Sequence, residues 1–532
     1  LTLAGTVSEY LPAELKISRN LPDLAEALKE IHFPKNAASA ERARSRFAFE
    51  ELFFLQLRAL AAKQKLKKER APEIPPDIAA LKKFVAGLPF KLTDAQREAA
   101  WEILRDLAKP SPMNRLLNGD VGSGKTVVAA LAAFSCVLNG YQAAFMAPTE
   151  ILANQHFEEI SKLCGKIAGM KIGLLTAKIA KLGGGEIKKS ELLEKTEKGE
   201  IGILIGTHSL IQKNVKFKNL AFVVVDEQHR FGVSQRAALL SDKTAGVPHF
   251  LSMTATPIPR TLALTAFGDL DISVLDELPK GRQKIITKII SPEERSAAYS
   301  FIKNEIKKGR QAFVICPRIE ISKGKNGGET TPKKLLWAEV KAVKDEHKKL
   351  AEKIFPDLKI GMLHGKLKSE EKEKAFKDFK NKKTDILTAT SVVEVGIDVP
   401  NAAVIMIEDA DRFGLAQLHQ FRGRVGRGEH QSYCLLFSGA SPAENGRLKA
   451  MENCQNGFEL ARKDLEIRGP GSLFGGRQWG IPDLAMASLS DVNLIKEARQ
   501  EAEKILEASP NLEKYPLLRE KISDFAKSVH LE

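Results

Sequence analysis

Along the first 85 residues, apolar positions recur at helical spacing. Leu24, Leu28 and Ile31 fall on one face, and Phe49, Phe53, Leu57 and Leu60 recur at i, i+4, i+8 and i+11. A stripe of that period predicts amphipathic helices whose apolar side belongs to a core. The stripe runs into the basic stretch KQKLKKER and then APEIPP, a Pro-rich linker that predicts a domain boundary near residue 85. From about 86 to 280 the pattern changes. Short apolar runs, YQAAFMAP, IGILIGT, LAFVVVDE and HFLSMTAT, alternate with helical segments. Such runs between helices read as buried strands of a parallel sheet. The alternation returns from 281 to 440 in QAFVICP, KIGMLHG, TDILTAT, AAVIMIED and SYCLLF. The fold class is therefore α/β. Two tandem domains with parallel sheets, 86–280 and 281–440, are preceded by a helical region, 1–85, and followed by a small helical and loop region, 441–532. Between the two units ELPKGRQK reads as a hinge, and ISKGKNGGETTPKK (321–334) as an exposed, mobile insertion. Past 440, RLKAMENCQNGFELARKDLEI is helical in pattern and the Gly-rich RGPGSLFGGRQWG comes after it.

Composition narrows the partners more than the fold. A net charge of +15 and a pI near 9.3 favour a polyanion, either nucleic acid or an acidic membrane surface. A solubility charge spread evenly over the surface would give the same sum. Cys136, Cys164, Cys316, Cys434 and Cys454 are odd in number and far apart, with no C-x-x-C pair. They suggest neither a disulfide framework nor a zinc site, and a reducing cytosol fits. No apolar run is long enough to span a bilayer, and there is no signal peptide. The chain opens at Leu1, in LTLAGTVSEYLP, and reads as a fragment or a processed chain.

The chemistry begins where apolar runs stop. FVVV ends abruptly in Asp226, Glu227, Gln228 and His229. Alone, this is a solvated loop at the end of a strand or a metal-and-water site at the carboxyl edge of a sheet. The segment GDVGSGKT, Gly119 to Thr126, decides between them. It matches G-x-x-x-x-G-K-[ST] and runs directly into the helical pattern VVAALAAFSCVL. Gly119, Gly122 and Gly124 permit a tight loop whose N–H groups converge on phosphate oxygens, next to the positive end of a helix. Lys125, expected at the end of an exposed loop, supplies a charge for the β- and γ-phosphates, and Thr126 a hydroxyl for Mg2+. Asp226 is then the natural second Mg2+ ligand, and Glu227 can orient or deprotonate the attacking water. Gln228 and His229 could sense the γ-phosphate.

The remaining motifs resemble those of superfamily 2 helicases. LTDAQ looks like the adenine-reading segment, with Gln96 facing the base. APTEILANQ, GTHSLI and SMTATPIPRT resemble segments that contact nucleic acid, and TATSVVEVGIDVPN and QFRGRVGRG resemble motifs V and VI. The resemblance places Gln420 as a nucleotide-facing amide, and Arg424 and Arg427 as arginines that stabilise the charge developing on the γ-phosphoryl group. NRLLNGDVGSGKT, DEQHRFGVSQR, MTATPIPRTLALTAFGDLD, RFGLAQLHQFRGRVGRG, EALKEIHFP and DLEIRGPGSLFGGRQWG narrow it to the RecG family, over about residues 10 to 500. The transcription-repair coupling factor shares the FGLAQLHQ block, but IHFP and DEQH favour RecG. The resemblance implies two RecA-like domains that clamp ATP and Mg2+ and drive movement along branched or duplex DNA, at stalled forks and Holliday junctions, in recombination and repair. It further implies a monomer in the bacterial cytoplasm, associated with the nucleoid and not with a membrane, that has single-stranded DNA-binding protein as a partner. Arg468, Arg477 and Gln478 would couple the ATP cycle to DNA movement.

Two departures stand out. The family's final loop reads closer to Gly-Thr-Arg-Gln-Ser-Gly, and here it is Gly475-Gly476-Arg477-Gln478-Trp479-Gly480, with Arg477 and Gln478 in register. Residues 1–85 also lack the five alternating strands of the family's N-terminal wedge, of which LTLAGTV would be at most a remnant. The chain as given is therefore expected to hydrolyse ATP on DNA but to lose most preference for forks. The rivals are a coupling-factor-like duplex translocase, an RNA helicase with the same motor, and a non-catalytic ATP-dependent clamp on branched DNA.

Overall fold

The computed structural model describes residues 7–164, 170–212, 214–227, 246–259, 268–278, 283–317, 343–390, 399–439, 446–468, 486 and 491–528. The insertion 321–334, motif V between 391 and 398, and part of the hinge lie outside them.

Among the described residues the chain begins with the helices α1 (Ala13–Ser18), α2 (Leu24–His32), α3 (Ala37–Lys67) and α4 (Ile78–Ala86), ahead of the first sheet and the helices on its faces. That sheet has nine strands: β1 (Asn114–Gly119), β2 (Gln142–Met146), β3 (Ile172–Leu175), β4 (Ala180–Leu182), β5 (Gly185–Glu186), β6 (Ile203–Gly206), β7 (Leu220–Asp226), β8 (His249–Thr254) and β9 (Asp271–Leu275). Their order is β5-β4-β3-β6-β2-β7-β8-β1-β9. Seven strands run parallel, but β4 and β5 pair antiparallel beside β3, so the sheet is not wholly parallel. The hairpin occupies hydrogen-bonding groups that β3 would otherwise leave open at the edge. Its strands are too short for alternation to show in the sequence. On the faces lie α5 (Asp94–Leu107), α6 (Lys125–Leu138), α7 (Glu150–Cys164) and α8 (Lys189–Glu197).

The Pro-rich stretch is not a free linker. Ala71 N–H donates to Pro110 O and Ile74 N–H to Leu107 O, each at 2.9 Å, and Arg70 O accepts from Val247 N–H. Ile74, Leu81 and Phe84 are buried in the core of the first sheet, and Phe84 stacks on Phe134 of α6 at 4.8 Å. α4 therefore straddles the boundary expected at residue 85 and belongs to the core of the first unit.

The second sheet is wholly parallel, in the order β10-β15-β14-β11-β13-β12. Its strands are β10 (Ile286–Ile290), β11 (Gln311–Ile315), β12 (Ile360–Leu363), β13 (Ile386–Ala389), β14 (Ala402–Ile407) and β15 (Tyr433–Phe437). α9 (Arg295–Lys307), α10 (Ser369–Lys380) and α11 (Leu415–Arg422) accompany it. Then come α12 (Gly446–Asn453), α13 (Gly457–Arg468), α14 (Val492–Ala508) and α15 (Pro516–Ser528).

The two ends of the chain share a core. The apolar stripe of α3, including Phe49, Phe53, Leu57 and Leu60, packs against Ile495, Ala498, Ala502 and Ile505 of α14. Lys63 at the end of α3 reaches Asp271 of β9 at 2.7 Å, which ties this helical layer to the first sheet. The regions 1–85 and 441–532, read separately in the sequence, thus meet as one layer.

Candidate functional site

The phosphate loop joins β1 to α6. Gly122 and Gly124 have φ of +76° and +82°, in the left-handed region. The φ of Gly124 favours glycine, and a Cβ there would also displace the Gln96 amide. Lys125 is buried rather than exposed, and its Nζ donates to Gly119 O and Asp120 O, each at 2.8 Å. The loop curls back over the ammonium, which explains the departure from the exposed position expected. Burial pushes the Lys125 pKa down, against the pull of Asp226, Glu227 and Asp120.

β7 delivers the carboxylates. Asp226 Oδ1 accepts from its neighbour Glu227 N–H at 3.0 Å, and Oδ2 accepts from His156 Nε2 of α7 at 2.8 Å. Burial raises the Asp226 pKa, but the bond to His156, the charges of His156 and Lys125 and the Glu227 N–H together hold it below the ordinary range. Glu227 has φ +54°, a turn that few non-glycine residues make. Both carboxylates line one cavity of about 620 Å3, with Gly122, Gly124, Lys125 and Thr126 of the first unit and Arg424 and Arg427 of the second. Arg424 Nε donates to Gln420 O and Arg427 Nε to Gly423 O, each at 3.3 Å, so both extend from the turn after α11.

Two expected ligands sit differently. Gln96 lines the cavity, but its amide is engaged: Oε1 accepts from Thr93 N–H at 2.9 Å and Nε2 donates to Ser123 O at 2.8 Å. With Thr93 it forms the capping box of α5, a T-x-x-Q signature legible in LTDAQ. Gln420 does not line the cavity, because its Nε2 donates to Thr256 Oγ1 at 3.0 Å across the seam between the two units. Gly119 stands behind the cavity, where its carbonyl holds Lys125. Arg468 is the last residue of α13, and its side chain lies outside the described residues, as do Arg477, Gln478, Gln228 and His229.

Some residues of the site carry no motif signal of their own. Phe90 and Lys91, just before LTDAQ, line the cavity beside Gln96, and Phe90 is half-exposed. Asp120, a variable position of the phosphate-loop pattern, is the joint between the two units. Its Oδ1 accepts from His419 Nε2 at 2.5 Å and its Oδ2 from Gly457 N–H, at the start of α13, at 3.2 Å. Arg422 Nη2 donates to His419 Nδ1 at 2.9 Å, which fixes the His419 tautomer. Burial raises the Asp120 pKa, but His419, the Val121 N–H and Lys125 hold it below the ordinary range. A Cβ on Gly457 would lie 2.5 Å from both His419 Nε2 and Pro257 Cγ. Only glycine lets the three elements meet so closely.

Among the described residues no helix is long and apolar enough to cross a membrane, and no three His, Cys, Asp or Glu side chains form a metal cluster. The Thr126 hydroxyl and Asp226 carboxylate are hard oxygen donors beside an anion cradle. That set suits Mg2+, which takes one or two protein oxygens and completes its shell from phosphates and water.

Comparison with known proteins gives three family matches. A DEAD/DEAH box helicase model matches residues 93–265 and a helicase conserved C-terminal domain model residues 297–429. A model described as ATP-dependent DNA helicase RecG, domain 3, C-terminal, matches 454–529. The ATP-dependent DNA helicase RecG of Synechocystis sp. is 48% identical over 524 residues, covering 98% of this chain and 60% of that protein. The protein of that name from Bacillus subtilis is 44% identical over 504 residues, covering 94% of this chain and 70% of its own length. A solved structure of RecG bound to a three-way DNA junction matches with a TM-score of 0.76 at 38% identity, covering 94% of this chain and 63% of that one. The chain thus spans about 60% of the length of the Synechocystis relative.

Proposed function

Since the chain belongs to the RecG family of ATP-dependent DNA helicases, we propose that it hydrolyses ATP to move along DNA. The observation that carries this is the single cavity shared by the phosphate loop, Asp226 and Glu227 of one sheet and Arg424 and Arg427 of the other. In this reading Lys125 neutralises the terminal phosphates. Thr126 and Asp226 would hold Mg2+, which when bound supplies charge neutralisation between the phosphates. Glu227 orients the attacking water and takes its proton. Arg427, with Arg424 behind it, meets the charge that spreads over the γ-phosphoryl oxygens in the transition state. Because these arginines belong to the second unit, hydrolysis requires the two units to be closed, and product release lets them part. Phe90 offers a face for the adenine.

The DNA would be gripped through its backbone, with little sequence preference, as the basic balance of the chain supports. The family relation supports branched DNA as the substrate, a monomer in the bacterial cytoplasm as the working form, and single-stranded DNA-binding protein as a partner. The RecG domain 3 match over 454–529 favours this over a coupling-factor role. The test is steady-state ATP turnover with no nucleic acid, linear duplex DNA, forked DNA or RNA duplex at fixed salt. Strong stimulation by DNA and little by RNA is expected. Turnover independent of nucleic acid, or driven best by RNA, would refute it.

A further inference from the structure

His156 has a role that phosphate chemistry alone does not assign. It lies on α7, buried, with its ring tilted against Phe145 of β2 at 4.6 Å between centroids. Its Nε2 is 2.8 Å from Asp226 Oδ2. An ionised carboxylate only accepts, so the proton sits on Nε2. Nδ1 is buried with no hydrogen-bond partner among the described residues. An apolar side chain of similar size would fill the space beside Phe145 without leaving a nitrogen unsatisfied. What the imidazole adds is one N–H, aimed at the carboxylate that ends β7. The other carboxylate oxygen is held by the backbone of Glu227. Asp226 is thus clamped from two elements, its own strand end and α7.

We propose that His156 is a positioning residue for the metal-binding carboxylate: through it, α7 fixes the orientation of Asp226 and thereby the affinity of the site for Mg2+ with nucleotide. Ligating carboxylates are themselves oriented by such hydrogen bonds, and losing one weakens metal binding or activity by about 10- to 100-fold. α7 is well placed for this. It begins directly after the APT segment, and its Glu158 lies 3.7 Å from Lys380 of the second unit. The inference rests on the reading of Asp226 as the Mg2+ ligand.

The experiment tracks binding of a fluorescent ADP analogue as Mg2+ is titrated, and again in EDTA, for wild type, His156→Leu, His156→Gln and Asp226→Asn. His156→Leu keeps the packing and removes the donor, so the Mg2+ midpoint should rise by about 10- to 100-fold while affinity in EDTA is unchanged. His156→Gln carries an amide N–H on a side chain of similar reach and should recover most of the loss. If the leucine variant does not fold, His156→Met is measured in its place. A wild-type midpoint in the donor-less variant, or equal impairment of the leucine and glutamine variants, would overturn the proposal. Asp226→Asn separates the two levels. If it leaves the midpoint unchanged, the assignment of Asp226 fails. If it raises the midpoint and His156→Leu does not, only the role of His156 fails.

Discussion

Lys125 is gripped by two backbone carbonyls. Lys125→Ala should therefore abolish ATP turnover and also loosen the loop. The carbonyls of Gly119 and Asp120 each lose a donor, although Asp120 O keeps the Ser123 N–H at 3.1 Å, so the cost is about 0.5–1.5 kcal/mol per bond. An ATPase assay beside a thermal melt would show both effects. Under the proposed roles, Glu227→Gln should bind ATP normally and not turn it over, since only the carboxylate assigned to the attacking water is lost. A second residue sets a pH dependence. His249 is fully buried, with Nδ1 accepting from Met113 N–H and Nε2 donating to Pro72 O, so both nitrogens are committed in the neutral form. Burial pushes its pKa below the ordinary 6.5, against weaker pulls from the Pro72 bond and Asp106. Between the folded and unfolded values the unfolded chain binds more protons. The contribution of His249 is thus complete above pH 6.5 and is lost as pH falls through the lowered value. Urea midpoints should drop on going from neutral to mildly acidic pH, and His249→Gln should flatten that drop. At this scale the motif residues that gather around the cavity were legible because phosphate chemistry dictates their types and spacing. Asp120, His156 and His419 were not, since their partners lie 70 and 299 residues away and no local pattern announces them.

At the scale of elements, period reveals that a face is buried but not what covers it. The α3 stripe predicts a helix with a core side, but the cover is α14, from the far end of the chain. Phe53 is fully buried there and stacks on Phe49 at 5.7 Å. Phe53→Ala should cost about 3–5 kcal/mol. Removing residues 491–528 should uncover the same face and make 37–67 open to limited proteolysis, whereas an intact, resistant α3 would mean that it packs without α14. The long apolar runs were legible as strands. β4 and β5 were not, being too short for alternation to register. The Pro-rich segment read as a linker because proline breaks helices. In the fold it is an extended strap, since proline carbonyls still accept hydrogen bonds.

At the scale of the whole molecule, two sheets present their chemistry to one cavity and are joined behind it by Asp120, His419 and Gly457. The α/β repeat made two units legible, but their joint was not, because it depends on side chains that meet only once both units have folded. An arginine supplied across that seam acts mainly on the transition state. Arg427→Ala should lower kcat by about 10³–10⁵-fold, with a much smaller change in ATP affinity. A variant that lost affinity and kept kcat would make Arg427 a binding residue. The central claim is that closure of this cavity on ATP drives motion along DNA. Displacement of a third strand from a DNA triplex by the 532-residue chain measures that motion without requiring a junction to be split. Displacement is predicted with ATP, and none with a non-hydrolysable analogue or with Glu227→Gln. DNA-stimulated hydrolysis without displacement, or displacement by Glu227→Gln, would contradict it.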